Sequence, residues 1–227
     1  MLDVLNSIGA IIWGPYVLIP LLLGTGVVLT VRLRGIQFTH LGRAMGLAFI
    51  KRRDALTEQG DVSHYQALTT ALAATVGVGN IAGVATAIHL GGPGAVFWMW
   101  VSAIFGMAAK YSEAFMGVRF RTTDAKGEIS GGPQYYLQKA IPSKFGLFLS
   151  LFFAIAATIA SFGIGNLTQS NTVAHTLNDT FGLPLIGVGI ALAALTALVL
   201  VGGIKSIGRV TAGFVPMMIV IYVVGAL

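Results

Sequence analysis

Long apolar runs, rather than strict alternation, dominate this chain. Stretches able to cross a hydrocarbon core of about 30 Å recur six times, near residues 11–31, 67–90, 95–118, 145–165, 183–204 and 210–227. Each predicts an α-helix, because a backbone in lipid must satisfy its own N–H and C=O groups. Between the first two runs, "RLRGIQFTHLGRAMGLAFIKRRDALTEQGD" sets Phe38, Leu41, Met45 and Phe49 at helical spacing, with Arg43 and Lys51 to Arg53 nearby. That pattern predicts a short helix lying in the membrane interface. "GGPQYYLQKAI" from Gly131 opens on turn residues and continues into paired tyrosines, a second interfacial candidate. With no repeat, low-complexity tract or soluble linker to divide it, residues 1–227 read as one transmembrane domain.

Composition agrees with the pattern. Hydrophobic residues make up 56% of the chain and charged ones 10%. A soluble domain carries roughly a quarter charged residues, so a polar shell cannot be assembled here. Cysteine is missing, which removes disulfides, thiolate metal sites and cysteine nucleophiles. The net charge of +6 is dispersed over loops between the apolar runs, so membrane topology explains it and nucleic acid is not a predicted partner. Six Lys and Arg fall between the first and second runs, five between the third and fourth, and two between the fifth and sixth. The remaining one, Lys110, lies within the third run. The positive-inside rule then predicts an external N-terminus and cytoplasmic basic loops, in a multi-pass protein of the inner or plasma membrane. The N-terminus opens with Asp3 and lacks the basic region of a signal peptide, so the first run is expected to stay as a spanning helix.

One run carries unusual chemistry. "TVGVGNIAGVATAIHL" places Gly77, Gly79, Asn80 and Gly83 in the middle of a membrane-length segment. "GVGNIA" fits the dinucleotide fingerprint G-x-G-x-x-A, but that motif needs a preceding strand and an acid about 20 residues later. The first acid downstream is Glu113, so the match is accidental. Two readings remain. Gly79 and Gly83, extended by Ala87, form a small-residue face for close helix packing. Alternatively Thr75 and Asn80, beside Gly77 and Gly79, mark a broken helix, because a mid-membrane amide is costly without a partner. A break exposes carbonyls suited to a hard cation and, on the second half-helix, an N-terminus suited to a carboxylate. A zwitterionic amino acid beside a sodium ion would use both ends.

"GGPGAVFWMWVSAIFG" at 91–106, with "GDVSHYQALTTALAATVGVGNIAGVATAI" before it and "GGPQYY", "SFGIGN" and "GGIKSIGRVTA" after it, resembles the sodium:alanine symporters, the alanine or glycine:cation symporter family. The resemblance runs from the first helix to the end of the chain. It implies an all-α, polytopic LeuT-type fold with six spans in this chain: a peripheral helix about 11–31 and a first five-helix inverted repeat about 67–227. It also implies secondary, sodium-coupled symport of alanine or glycine by alternating access, with H⁺ as the alternative coupling ion, and no enzymatic step. By similarity, Asn80 would give a side-chain oxygen to one sodium ion, with the Thr75 carbonyl nearby, and Ala73 and Val76 would give carbonyls to a second. Gly77, Val78 and Gly79 would line the carboxylate, and Gln169 would touch the substrate.

The family's second inverted repeat is absent from these 227 residues, so the site is expected to be incomplete in this chain alone. The expected partners are therefore a small neutral amino acid, the bilayer, and either the missing repeat or another copy of the chain. Two other classes stay open: an inert or structural membrane fragment or subunit, and a pore built by oligomerisation.

Other polar residues have plainer readings beside functional ones. Asn166, Gln169 and Ser170 share helical spacing at the end of the fourth run and face either a cavity or the water interface. Lys110 and Glu113, three apart, are expected to form a surface pair rather than an ion relay. His64, His89 and His175 have no second ligand at metal spacing and read as loop or interface residues. Trp98 and Trp100 read as belt residues, and Pro15, Pro20 and Pro216 as kinks that neighbours compensate.

Overall fold

A computed structural model describes residues 2–47, 62–123, 125, 127 and 129–226. Twelve helices follow one another among them: α1 (Leu2–Trp13), α2 (Leu18–Arg32), α3 (Ile36–Thr39), α4 (Leu41–Met45), α5 (His64–Thr75), α6 (Val84–Gly91), α7 (Gly94–Arg119), α8 (Pro133–Ala140), α9 (Lys144–Ala160), α10 (Thr168–Phe181), α11 (Leu185–Leu200) and α12 (Gly203–Ala226). The inserted π-helical segments include Gly79–Gly83 ahead of α6 and Ser161–Leu167 between α9 and α10. The expected all-α fold gains one small exception, an antiparallel pairing of β1 (Thr122–Thr123) with β2 (Ile129–Ser130).

Burial is inverted relative to a soluble domain. Buried side chains among the described residues include the polar Gln37, Thr69 and Ser150, while Phe148, Phe152, Ile155, Leu198 and Val201 stand outward. Such a surface is stable only in lipid. Three helical runs are long and apolar enough to cross a membrane: Asn6–Arg32, Lys144–Phe181 and Gly203–Gly225. A fourth crossing comes from the bent pair His64–Thr75 and Gly79–Gly91. The α7 helix has 26 residues, whereas α11 has 16 and rises only about 24 Å, short of the hydrocarbon thickness.

Several boundaries differ from the sequence reading. The first run is divided at 14–17, where Gly14 and Pro15 interrupt the helix, so α1 starts at Leu2 and α2 at Leu18. Pro20 falls in the first turn of α2, where its missing N–H costs nothing. The fifth run stops at Leu200, and a left-handed Gly203 (φ 64°) launches α12 seven residues ahead of the expected 210. The helix expected after the first run is present as the short pair α3 and α4, reached through left-handed Arg34 and Gly35. Phe49 and Lys51 to Arg53 lie outside the described residues. The second interfacial candidate is α8, with Pro133 at its first turn. Burial, with help from the Glu113 carboxylate, holds the Tyr136 phenol above its ordinary pKa there.

Two tight helix pairs organise the bundle. At the first, a Cβ on Gly26 would sit 2.9 Å from the Phe105 carbonyl oxygen, so only glycine lets α2 approach α7 this closely. From α3, Gln37 Nε2 fastens the same junction by donating to Thr30 Oγ1 of α2 at 3.0 Å and to the Ile104 carbonyl of α7 at 3.4 Å. At the second, α12 lies along α5. Thr70 and Thr211 hydroxyls meet at 3.0 Å, Tyr65 donates to the Ala212 carbonyl at 3.4 Å, and a Cβ on Gly208 would come within 3.2 Å of Val62. Polar side chains between apolar helices are favourable when paired in this way. Lys110 and Glu113 form the expected surface pair at 3.1 Å.

Candidate functional site: a broken membrane helix

The α5 helix begins with a capping box. Ser63 Oγ accepts from the Gln66 amide at 3.2 Å, and Gln66 Oε1 accepts from the Ser63 amide at 3.0 Å. It ends at Thr75 because Val76 is extended (φ −90°, ψ 110°), a region that a β-branched residue favours. The chain resumes helical geometry at Val78, passes through the π-helical turn and enters α6, with its axis turned by 51°. The break thus lies at Val76–Gly77, and Gly79–Asn80 belongs to a widened helical turn rather than to the unwound stretch itself.

An N–H has one proton to donate, so the amides at the break can be followed one by one. Gly77 N–H goes to Asn80 Oδ1 at 3.0 Å, and Val78 N–H goes to Gln169 Oε1 at 3.1 Å. Asn80 N–H goes to the Gly77 carbonyl at 3.0 Å. In an α-helix these three protons would have served Ala73, Ala74 and Val76. Their carbonyls therefore lose the partner that a continuous helix supplies. Thr75 Oγ1 turns back to the Ala71 carbonyl at 2.8 Å, so its side chain is engaged in its own helix.

Of the residues singled out from sequence, Gly77, Val78, Asn80 and Gln169 come together. Gln169 crosses from α10, and its Oε1 lies 3.4 Å from where a Cβ on Gly77 would stand. Ala73, Thr75 and Val76 flank the break on the α5 side, and Gly79 opens onto free space. Ser170 and Asn166 do not join them by side chain. Ser170 Oγ donates to the carbonyls of Asn166 and Leu167 within its own helix.

One relation escaped the sequence reading. Thr75-Val76-Gly77-Val78-Gly79-Asn80 is echoed by Ser161-Phe162-Gly163-Ile164-Gly165-Asn166, position by position: hydroxyl, apolar, glycine, β-branched, glycine, asparagine. Both hexads run into or through a π-helical segment, and the second lies just before Gln169. Self-comparison over windows as short as six residues would have found it.

Apolar helices enclosing polar contacts, with one of them broken so that backbone carbonyls and amides leave the helical ladder, are the arrangement on which secondary transporters build their sites. The chain belongs to the sodium:alanine symporter family, whose model matches residues 1–227. It is 51% identical over 99% of its length to the sodium/alanine symporter AgcS of Methanococcus maripaludis, covering 49% of that protein. It is 40% identical to the amino-acid carrier protein AlsT of Bacillus subtilis, over 91% of this chain and 43% of that one. It is 36% identical to a Bacillus subtilis protein named "Probable sodium/glutamine symporter GlnT", over 91% of this chain and 42% of that one. The chain thus spans about half the length of the relatives it matches. Its family is one of symporters, not enzymes.

Proposed function

We propose that this chain supplies the broken-helix half of a site for sodium-coupled symport of a small neutral amino acid, alanine or glycine, by alternating access. The observation that carries the reading is the redirection of the Gly77, Val78 and Asn80 amides. It frees carbonyls on the α5 side, where a hard cation prefers oxygen ligands, and takes the Gly77 and Val78 amides out of the helical ladder, where a carboxylate prefers donors. Sodium is the coupling ion in the family's name, and alanine recurs among the relatives' names. In this reading Asn80 Oδ1 and the Thr75 carbonyl hold one sodium ion, and the carbonyls of Ala73 and Val76 hold a second. Gly77, Val78, Gly79 and Gln169 hold the substrate. The peripheral α1–α2 run supplies one span and the helices from α5 to α12 supply a five-helix LeuT-type first repeat, six spans in all, with the N-terminus outside.

The energetic logic is coupling. Sodium on the carbonyl side offsets the cost of leaving the break open, so the amides opposite are held ready for a carboxylate, and by linkage the substrate raises sodium affinity equally. Uptake of labelled alanine into proteoliposomes containing the intact protein tests this. Accumulation that needs an inward sodium gradient is the expected result. Accumulation driven equally by a proton gradient would reassign the ion, and uncoupled ohmic current would replace symport by a pore.

A further inference from the structure

We propose that the face of α10 running from Gln169 through Thr172 and Thr176 to Asp179 walls a water-filled track to the break, and that Asp179 draws the cation into it. The inference rests on the symport reading above and adds the route by which hydrated sodium reaches the site. Those four residues follow one another at spacings of three, four and three, so they share one stripe of the helix. All four are polar. The opposite stripe carries Ala174, Leu177 and Phe181; Ala174 is buried, and α10 packs on α11. Asp179 is exposed, has no basic residue in the last turn of α10 with it, and makes no ion pair or hydrogen bond among the described residues. It is also the one charge that the sequence carries between Lys144 and Lys205.

Depth gives the stripe its meaning. Gln169 accepts the Val78 N–H at 3.1 Å, and Val78 stands midway along the bent crossing from His64 to Gly91, so this point of α10 lies near the middle of the membrane. The run from Lys144 to Gln169 is about 38 Å long, more than half a bilayer, so it must lean to end there. Asp179 lies ten residues beyond Gln169, about 15 Å if upright and less when leaning, which keeps it within a core about 30 Å thick. A lone carboxylate with two threonines beneath it is costly against lipid. Water along the stripe removes that cost, and the field of one anion in a narrow track of low-dielectric walls concentrates cations there. The negative end of α10, in the same turn, adds to that potential.

Single cysteines test the track in the intact protein, with any native cysteines outside this cysteine-free stretch replaced by serine. Thr172→Cys, Thr176→Cys and Asp179→Cys should react with a membrane-impermeant thiol reagent added outside cells, and alanine uptake should fall as they do. Ala174→Cys and Leu177→Cys should stay unlabelled. Asp179→Asn should raise the sodium concentration for half-maximal uptake about two- to threefold at low ionic strength, the gap closing in concentrated choline chloride, and Asp179→Glu should restore it. Protection of all three stripe positions overturns the proposal, since lipid or protein then covers the stripe. Labelling that leaves uptake untouched overturns it as well, because α10 would then merely project into water. A sodium requirement unmoved in Asp179→Asn, or moved equally at every ionic strength, removes the role given to Asp179. Uptake that needs no sodium but is still blocked by labelling would sink the symport reading and leave the track standing; sodium-driven uptake without labelling would sink the track alone.

Discussion

The two hexads start from nearly the same sequence and end in opposite structures. Thr75 to Asn80 breaks its span and turns the axis by 51°, while Ser161 to Asn166 is carried straight through a continuous run, Lys144–Phe181, of 38 residues. Glycine, asparagine and a π-helical turn are common to both, so none of them is sufficient to break a helix. What differs is the capture of the released amides. Asn80 folds back onto Gly77 N–H, and Gln169 reaches across to Val78 N–H. The position before the first glycine differs too: Val76 is β-branched and extended, whereas Phe162 keeps helical geometry. A membrane helix opens where other groups take over its hydrogen bonds, since an uncaptured amide in lipid costs several kcal/mol.

The largest contrast is expected at the two asparagines. Asn80→Ala removes the proposed cation ligand and the acceptor for Gly77 N–H together, so the sodium concentration for half-maximal alanine uptake should rise on the order of tenfold. Asn166→Ala, its counterpart, should leave that concentration within about twofold. Equal effects from the two would erase the distinction between the hexads, and an unchanged sodium requirement in Asn80→Ala would remove it from the site.

A smaller difference is expected at the first glycines. A Cβ on Gly77 would stand in contact with the Gln169 carboxamide and take space in the proposed substrate site, so Gly77→Ala should weaken alanine binding by about two- to threefold. At Gly163 a Cβ would meet nothing within 4 Å, and Gly163→Ala should bind alanine as the unaltered protein does. Calorimetric titration of the two variants side by side measures the gap; a stronger defect at Gly163 would reverse the assignment. The smallest effect is expected from Phe162→Val, which gives the second hexad a β-branched residue but no capturing partner. Amide exchange across 163–166 should change by less than about twofold. Opening of that segment would show that side-chain branching, rather than capture, sets the break.

Much of this was legible in the chain itself. Apolar runs marked the helices, Gly77 to Asn80 marked the interrupted one, and Gln169 stood out as a polar residue at the end of an apolar run. The exact point of rupture was not, because Val76 carries no polar or glycine signature and is extended only in the company of its neighbours' redirected amides. The α11 boundary escaped for a related reason: "VLVGGIKSIG" is apolar enough to prolong a run, and only the backbone of Gly203 reveals the turn. The Thr70 to Thr211 contact was invisible for want of any sequence signal linking residues 141 apart.

That last contact sets a timetable for making the protein. At a synthesis rate of about 5–20 residues per second, Thr211 leaves the ribosome roughly 7 to 28 s after Thr70, a separation of 141 residues. Through that interval α5 is already made, and its Thr70 hydroxyl lacks the Thr211 partner that α12 will bring. Thr69 has no such wait, since its hydroxyl bonds the Tyr65 and Gln66 carbonyls of its own helix. The arm bearing the break is thus secured late in biogenesis, by the last helix to emerge from this stretch of chain. A substitution in α12 at Thr211 or Gly208 would show first as early degradation of newly made protein, before any defect in a matured molecule could be measured.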